Sequence, residues 1–178
     1  FPIFDSRPVV ALAKELYPEK GEAFFAQFRT RLFEYQWLRA MGGRYASFFS
    51  IIDDAHRAAA ARLGLDATEV KRALLQDAFL KLKAWPDAAS ALDALKSKGI
   101  KLALLSNMTD KMLNAGIANA RLDGVFDLVL STDAIKTYKP DPRAYQLGVD
   151  ALKLPREQIA FAAFAGPLSY THLTRPTN

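Results

Sequence analysis

The chain has 178 residues, of which 51% are hydrophobic and 24% are charged, and 24 basic against 19 acidic side chains give a net charge of +5. This size and composition are those of one globular domain, or of one domain with a small helical insertion, and they exclude a disordered or fibrous protein. The basic residues are interspersed instead of clustered, so we expect no nucleic-acid partner. The absence of cysteine excludes disulfides and thiolate chemistry and fits a cytoplasmic protein.

The first half of the chain carries the pattern of a helical bundle. Apolar residues recur at helical spacing between capping and stop residues. The pattern predicts helices at 6–17 (capped by Ser6), 21–41, 47–63 (stopped by Gly64) and 66–82 (with Thr68 as a cap). No apolar run is long enough to cross a membrane, and the first residues lack the features of a signal peptide, so we expect no membrane partner.

From Pro86 onward, helices alternate with short apolar strands. The expected helices are 87–98, 109–120 and 142–153, and the expected strands are 100–105, 126–131 and 158–164. Helices between short apolar strands are typical of βαβ units with a parallel sheet. The sequence therefore predicts an α/β fold, a doubly wound parallel sheet with an inserted helical-bundle cap. The cap spans 6–85 and the α/β core spans 86–166.

The last twelve residues, 167–178, break this alternation. We interpret them as a non-native tail, translated from adapter or linker DNA, and exclude them from the fold. Resequencing the source DNA across codons 160 to 178 tests this interpretation, and an uninterrupted native reading frame would contradict it.

Polar groups stand where a parallel sheet binds its ligands. Ser106 and Asn107 directly follow the strand 100–105, and open α/β sheets bind ligands at the carboxyl ends of their strands. Lys139, in a separate loop, would supply a compensating positive charge. This combination favours a hydrolase core of the phosphatase or dehalogenase type. Two structural alternatives stay open, an N-cap role for Ser106 and an exposed loop position for Lys139.

Four segments resemble the haloacid dehalogenase superfamily, and within it the L-2-haloacid dehalogenase (type II) branch. They are Arg29 with 34–39 (Glu-Tyr-Gln-Trp-Leu-Arg), Gly43-Arg44-Tyr45 with Phe48, Leu104-Leu105-Ser106-Asn107, and Tyr138-Lys139-Pro140-Asp141 with Tyr145. The Ser-Asn and Lys-Pro elements are shared by the whole superfamily. The segment 34–39 resembles the dehalogenases in particular.

The resemblance implies hydrolytic dehalogenation of short L-2-haloalkanoic acids. In such enzymes an aspartate attacks the carbon that bears the halogen, and water then hydrolyses the aspartyl ester to release a 2-hydroxy acid. The implied partners are the 2-halocarboxylate substrate, water and the halide product, with no cofactor and no metal. Relatives are often dimers, so a homodimer is also expected.

The resemblance also assigns roles to the residues of the site. Ser106 would bind the substrate carboxylate, and Lys139 would keep the nucleophile ionised and oriented. Asn107 and Arg29 would receive the halide, because a weakly hydrated guanidinium suits a large anion. For Arg29 the alternative is a solvated helix charge.

Two aromatic residues complete the predicted site. Tyr145 would reach the substrate or Lys139, and Phe48 would form an apolar wall for the substrate carbon. For both, packing inside the protein is the alternative. Asp53, Asp54 and His56 look like metal ligands, but adjacent carboxylates on a helix face different ways, so we interpret this group as a surface run.

The sequence departs from the family pattern at both ends. The nucleophile is expected in a segment like Asp-x-x-Gly-Thr after a first strand, and 1–5 retains only a remnant of the loop there, so we expect the aspartate upstream of Phe1. Asp5 is rejected because no Gly-Thr turn follows it. Pro167-Leu168 stand where the family has Trp-Asp.

These departures predict that the first and last strands of the sheet are missing. The first strand would lie at the centre of the sheet, and unpaired strand edges invite aggregation. We therefore expect the chain, made alone, to be poorly soluble and without turnover.

Two other functions remain open at this point. One is a small-molecule phosphatase of the same superfamily, which would require magnesium. The other is a non-catalytic interaction module in which the helices of 6–82 dimerise through their aromatic faces.

Overall fold

The computed structural model describes residues 2–163. Four helices form a bundle in the first half of the chain: α1 (Arg7–Leu16), α2 (Gly21–Met41), α3 (Phe48–Leu63) and α4 (Glu69–Ala78). All four predicted helices are therefore confirmed, and α2 has the predicted bounds. The long helix α2 packs on both α1 and α3 and places Phe24, Phe28 and Leu32 in the core of the bundle.

The helix ends follow the capping residues of the sequence, with one exception. The Ser47 hydroxyl accepts a hydrogen bond from the Ser50 N–H (3.2 Å), and Gly64 ends α3 with a left-handed φ of 65°. The predicted cap of α1 is wrong, because the Ser6 side chain makes no capping hydrogen bond. The Asp5 carboxylate accepts from the Arg7 N–H (2.9 Å) in its place.

Helix α4 ends at Ala78, four residues before the predicted end at Leu82. The chain leaves the helix because the short strand β2 (Lys83–Ala84) pairs antiparallel with β1 (Phe4–Asp5). Leu82 is fully buried in this connection, which explains why the apolar pattern continues past the helix. β1 and β2 thus lie side by side where the chain enters and leaves the bundle. The predicted domain boundaries stay a prediction.

The second half of the chain contains a small parallel sheet with helices around it. Strands β3 (Ala103–Ser106) and β4 (Leu128–Ser131) are parallel, and Ser106 lies opposite Ser131. The helices are α5 (Ala88–Lys96), α6 (Asp110–Ala120) and α7 (Pro142–Leu152), with short 3₁₀ turns at Thr132–Ile135 and Arg156–Gln158. The predicted α/β fold class is confirmed, with strands shorter than expected.

The predicted strand at 158–164 is wrong for the residues that the structure describes. After the 3₁₀ turn the chain is irregular over 159–163, and residue 164 lies outside the described part. A strand requires a neighbour that pairs with its backbone, and no strand within residues 2–163 pairs with this segment. The proposed tail at 167–178 and the departure at Pro167-Leu168 also lie outside the described residues.

The crossing of α1 and α2 depends on a glycine. A Cβ atom at Gly21 would lie 2.4 Å from the Cα of Lys14, which is backbone and has no flexible end to move aside. We expect Gly21→Ala to lower the free energy of unfolding by about 1 to 3 kcal/mol, because the two helices must separate. Urea denaturation measures the change.

Gly148 in α7 provides the matched control. A Cβ at this position would meet Leu105 Cδ2 at 3.8 Å, which is an ordinary van der Waals contact. Gly148→Ala should be neutral or should stabilise the protein by up to about 1 kcal/mol through helix propensity. Equal effects of the two substitutions would contradict the close approach of α1 and α2.

Candidate active site

The last residues of β3 and β4, Ser106 and Ser131, both hydrogen-bond to the backbone of Met108. The Ser106 hydroxyl accepts a hydrogen bond from the Met108 N–H (3.1 Å), and the Ser131 hydroxyl donates to the Met108 carbonyl (2.7 Å). The backbone of Met108 is therefore held by a serine on each strand. This arrangement fixes the loop that starts at Ser106 at the edge of the sheet where ligands bind.

The N-cap alternative for Ser106 is wrong. Helix α6 is capped by Thr109, whose hydroxyl accepts from the Met112 N–H at 3.4 Å. Ser106 itself stays half-buried at the end of β3. Its predicted contact with a substrate carboxylate remains a prediction.

Lys139 reaches the same strand end from its own loop. Its ammonium Nζ donates to the Leu105 carbonyl at 2.8 Å, so the exposed-loop alternative does not apply. The loop is fixed by Tyr138, which is fully buried and whose hydroxyl donates to the Ala46 carbonyl. Burial lowers the pKa of the Lys139 ammonium to about 8, since a charged amine loses hydration there.

Asn107 connects the strand end to the backbone of Lys139. Its Oδ1 accepts from the Lys139 N–H at 2.8 Å and from the Thr132 hydroxyl at 3.4 Å. Its Nδ2 lies 2.8 Å from Gln36 Oε1 and 3.5 Å from the Lys139 carbonyl oxygen. The structure thus brings three predicted site residues together, namely Ser106, Asn107 and Lys139.

Gln36 is the residue of this group that the sequence analysis missed. It is only 2% exposed, lies on α2, and donates from Nε2 to the Leu32 carbonyl at 2.8 Å. A signal was present in the sequence, because Gln36 continues the buried i, i+4 ladder Phe24, Phe28, Leu32. A polar residue in such a ladder needs a hydrogen-bond partner.

Arg29 lies on the same helix as Gln36 but makes no hydrogen bond to Ser106, Asn107 or Lys139 in the part of the chain that the structure describes. Its guanidinium is exposed and lies 6.0 Å from the centroid of the Phe33 ring. Arg29 and Gln36 have the spacing i, i+7, which puts both on one side of α2 about 10 Å apart along the axis. The halide role of Arg29 remains a prediction.

The two predicted aromatic residues have different surroundings. The Tyr145 ring lies edge-on to Phe161 at 5.9 Å, and the Lys139 ammonium lies 5.7 Å from the same Phe161 ring, so Tyr145 and Lys139 share a neighbour. Phe48 is 2% exposed and packs against Phe79 inside the bundle. Its role as a substrate wall stays a prediction.

The helical bundle is fastened to the loop that carries Lys139. The Tyr45 hydroxyl donates to Asp133, and the Tyr45 and Tyr138 rings pack at 5.2 Å. Burial raises the pKa of the Tyr45 hydroxyl, and the hydrogen bond from Tyr45 lowers the pKa of the Asp133 carboxyl. Both shifts favour the donor and acceptor states that the hydrogen bond requires.

The interpretation of Asp53, Asp54 and His56 as a surface run is wrong for the histidine. His56 is fully buried, because it lies on the face of α3 that also carries Ile52 and Ala59. Both carboxylates pair with arginines, Asp53 with Arg57 and Arg72 at 2.7 Å and Asp54 with Arg39 at 2.5 Å. Within residues 2–163 no group of three or more acidic, histidine or cysteine side chains is placed to hold a metal ion.

The Asp5 carboxylate at the end of β1 forms an ion pair with Arg7, the first residue of α1. The Arg7 guanidinium donates to both carboxylate oxygens at 2.6 to 3.0 Å. These hydrogen bonds hold the pKa of the Asp5 carboxyl below its usual value. A carboxylate occupied in this way is a helix cap and a poor nucleophile.

Comparison with known proteins supplies a family and close structural relatives. The family model for the haloacid dehalogenase-like hydrolases matches residues 4–162. A "(S)-2-haloacid dehalogenase" of Pseudomonas sp. (strain YL) is 38% identical over 161 residues, which are 90% of this chain and 69% of that protein. None of the helices in residues 2–163 is long and apolar enough to cross a membrane.

Two solved structures are similar to this chain in both fold and sequence. One, of an L-2-haloacid dehalogenase, is 37% identical with a TM-score of 0.85 and covers 88% of this chain and 71% of that chain. The other is the L-2-haloacid dehalogenase from Xanthobacter autotrophicus with chloropropionic acid covalently bound. It is 38% identical with a TM-score of 0.79, over 86% of this chain and 62% of that chain.

Proposed function

Because the chain belongs to the haloacid dehalogenase-like hydrolases, we propose that it serves the hydrolytic dehalogenation of short L-2-haloalkanoic acids to 2-hydroxy acids. The observation that carries this proposal is the Lys139 ammonium, held 2.8 Å from the Leu105 carbonyl at the end of β3. Ser106 and Asn107 stand beside it. A cation and hydrogen-bond donors at the mouth of a parallel sheet suit a small organic acid.

The reaction has two covalent steps. An aspartate oxygen bonds to the substrate C2 while the carbon–halogen bond breaks, and the halide leaves with the bonding electrons. Water then adds to the ester carbonyl, the 2-hydroxy acid leaves, and the aspartate is restored with release of a proton. The aspartate is the one expected upstream of Phe1.

The residues of this chain bind and orient the reactants. Ser106 and neighbouring backbone N–H groups hold the substrate carboxylate, and Lys139 keeps the aspartate ionised. Asn107 and Arg29 accept the halide as it gains charge.

Two aromatic residues have supporting roles in the proposal. Phe48 borders the substrate carbon, and Tyr145 acts next to Lys139, with which it shares the Phe161 ring. No metal and no cofactor takes part.

Halide release tests the function. The protein is expressed from the source reading frame extended upstream through the expected Asp-x-x-Gly-Thr segment and is given (S)-2-chloropropionate. We expect chloride and lactate in equal amounts, no reaction with the (R) enantiomer, and no change on addition of a chelator. The 178-residue chain alone should show no turnover.

The competing functions give different results in the same assay. A phosphatase would require magnesium and would hydrolyse a phosphate monoester without releasing halide. An interaction module would show neither reaction. Either result would contradict the proposal.

We also propose a cellular compartment and a subunit number for the enzyme. We place it in the cytoplasm, since a chain without cysteine suits a reducing compartment. We further propose a homodimer, with no nucleic-acid or membrane partner. Sedimentation at several concentrations tests the subunit number, and a monomer at every concentration would contradict the dimer.

A further inference from the structure

The side-chain amides of Gln36 and Asn107 form a chain of hydrogen bonds from helix α2 to the backbone N–H of Lys139. We propose that Gln36 is a positioning residue that sets the orientation of the Asn107 amide and thereby presents one Asn107 N–H to the departing halide. This proposal rests on the proposed dehalogenase function. It concerns a residue whose side chain hydrogen-bonds to Leu32 and Asn107 and makes no hydrogen bond to Lys139 within residues 2–163.

Donor and acceptor in each of these three hydrogen bonds are determined by the backbone groups at the two ends of the chain, the Leu32 carbonyl and the Lys139 N–H. At one end the Leu32 carbonyl can only accept, so the Gln36 amide must present Nε2 to it (2.8 Å). Oε1 of Gln36 then faces Asn107, which must present Nδ2 (2.8 Å). At the other end the Lys139 N–H can only donate, and it meets Asn107 Oδ1 at 2.8 Å.

A rotation of either amide by 180° would place like atoms against each other. A flipped Asn107 would bring its oxygen against Gln36 Oε1 and its NH₂ against the Lys139 N–H. Both contacts would lose a hydrogen bond, and Gln36 is only 2% exposed, so water cannot replace its partner. The Gln36 oxygen therefore selects one of the two orientations of Asn107.

The selected orientation leaves one Asn107 N–H available to a ligand. Nδ2 carries two hydrogens, and Gln36 takes one of them at 2.8 Å. The other has only a long contact of 3.5 Å to the Lys139 carbonyl oxygen. Because long hydrogen bonds are weak, a halide next to Lys139 can take this hydrogen at little cost.

The test compares Gln36→Met with Gln27→Met. Methionine has nearly the length of glutamine and removes the polar atoms, and Gln27 lies on α2 with no hydrogen bond from its side chain within residues 2–163. Chloride binding to the 178-residue chain, kept soluble by a fusion partner, is followed by chlorine NMR line broadening. We expect Gln36→Met to weaken chloride binding roughly three- to tenfold, the effect of one hydrogen bond, while acetate binding is unchanged. Gln27→Met should change neither.

Further measurements distinguish a loss of Asn107 orientation from a general loss of protein stability in Gln36→Met. The Asn107 side-chain NH₂ should exchange slowly with solvent in the parent and in Gln27→Met, and rapidly in Gln36→Met. In an Asn107→Ala background, Gln36→Met should have no further effect on chloride binding. In the extended protein, kcat should fall by the same factor while KM stays constant.

The outcomes are distinct for this proposal and for the proposed function. Unchanged chloride affinity and unchanged NH₂ exchange in Gln36→Met would overturn the positioning role, as would an equal loss of acetate and chloride binding. If the NMR results hold and the extended protein releases no halide, the positioning role stands and the dehalogenase function fails.

Discussion

Replacement of Lys139 by methionine is expected to lower the rate constant of halide release by roughly 10²- to 10³-fold, the usual cost of removing one electrostatic stabiliser from an active site. The ammonium is the positive group held at the end of β3, where its Nζ lies 2.8 Å from the Leu105 carbonyl. Without it the nucleophile loses its counter-charge. Initial rates of chloride release by the extended protein measure the change, and Lys101→Met, at an exposed position, is the matched control.

The pH dependence of the same reaction carries a second signature of Lys139. Burial lowers the pKa of this ammonium to about 8, and a bound anion raises it again. In the extended protein the aspartate carboxylate beside Lys139 raises this pKa in the same way. Because only the charged form acts, kcat/KM should be constant below the pKa that Lys139 has in that protein and fall about tenfold per pH unit above it. A Lys139→Arg variant with residual activity should lack this fall, since a guanidinium does not lose its proton. A fall at the same pH in both the parent and Lys139→Arg would contradict the role of Lys139.

Acidification is expected to destabilise the helical bundle through His56. His56 Nε2 lies 2.8 Å from the Tyr17 hydroxyl, which donates its single hydrogen to the Asp66 carbonyl at 2.7 Å. His56 therefore carries its hydrogen on Nε2, and Nδ1 is buried with no partner within the described residues. Protonation would put a charge and an unpaired donor on Nδ1, so burial lowers the pKa of His56 to about 4.

The change in the free energy of unfolding with pH follows from the difference between the pKa of His56 in the folded and in the unfolded chain. Between the folded pKa of about 4 and the unfolded value of 6.5, the unfolded chain binds the additional proton. The free energy of unfolding should therefore fall as the pH falls through this window, by on the order of 2 to 3 kcal/mol. Urea denaturation at several pH values measures the loss. The His56→Leu variant keeps the hydrogen bond from Tyr17 to Asp66 and should lose correspondingly less stability on acidification. An equal loss in both proteins would assign the acid sensitivity to other groups.

The bundle could be predicted closely because its signals are local. Gly64 at a left-handed φ and the caps at Ser47 and Thr68 determine helix ends whatever surrounds them. The end of α4 could not be predicted in this way, because it depends on pairing between Lys83–Ala84 and Phe4–Asp5 at the other end of the bundle. The spacing of apolar residues shows which side chains are buried, but not whether their backbone is helical. Leu82 fits the apolar spacing and is buried, although helix α4 has already ended.

The site could be predicted in part for a similar reason. Ser106, Asn107 and Lys139 follow from strand ends and from the family resemblance, and the structure brings them together. The burial of Gln36 can be read from its place in an apolar i, i+4 ladder. Its partner Asn107 cannot, because that contact depends on how α2 lies against the loop after β3. The sequence misplaces His56 because its acidic neighbours Asp53 and Asp54 are partly exposed, whereas two residues along a helix turn a side chain by about 200°, from surface to core.

Lys139 and its neighbours are proposed to form a binding site for a small organic anion at the end of β3. An NMR titration of the Lys139 ammonium, in the 178-residue chain kept soluble by a fusion partner and with and without (S)-2-chloropropionate, would decide whether this site exists. We expect a pKa of about 8 without ligand and a rise of about one unit or more when the acid binds, with the Lys101 resonance as the unaffected reference. A Lys139 pKa that is the same with and without the acid would show that no anion binds there.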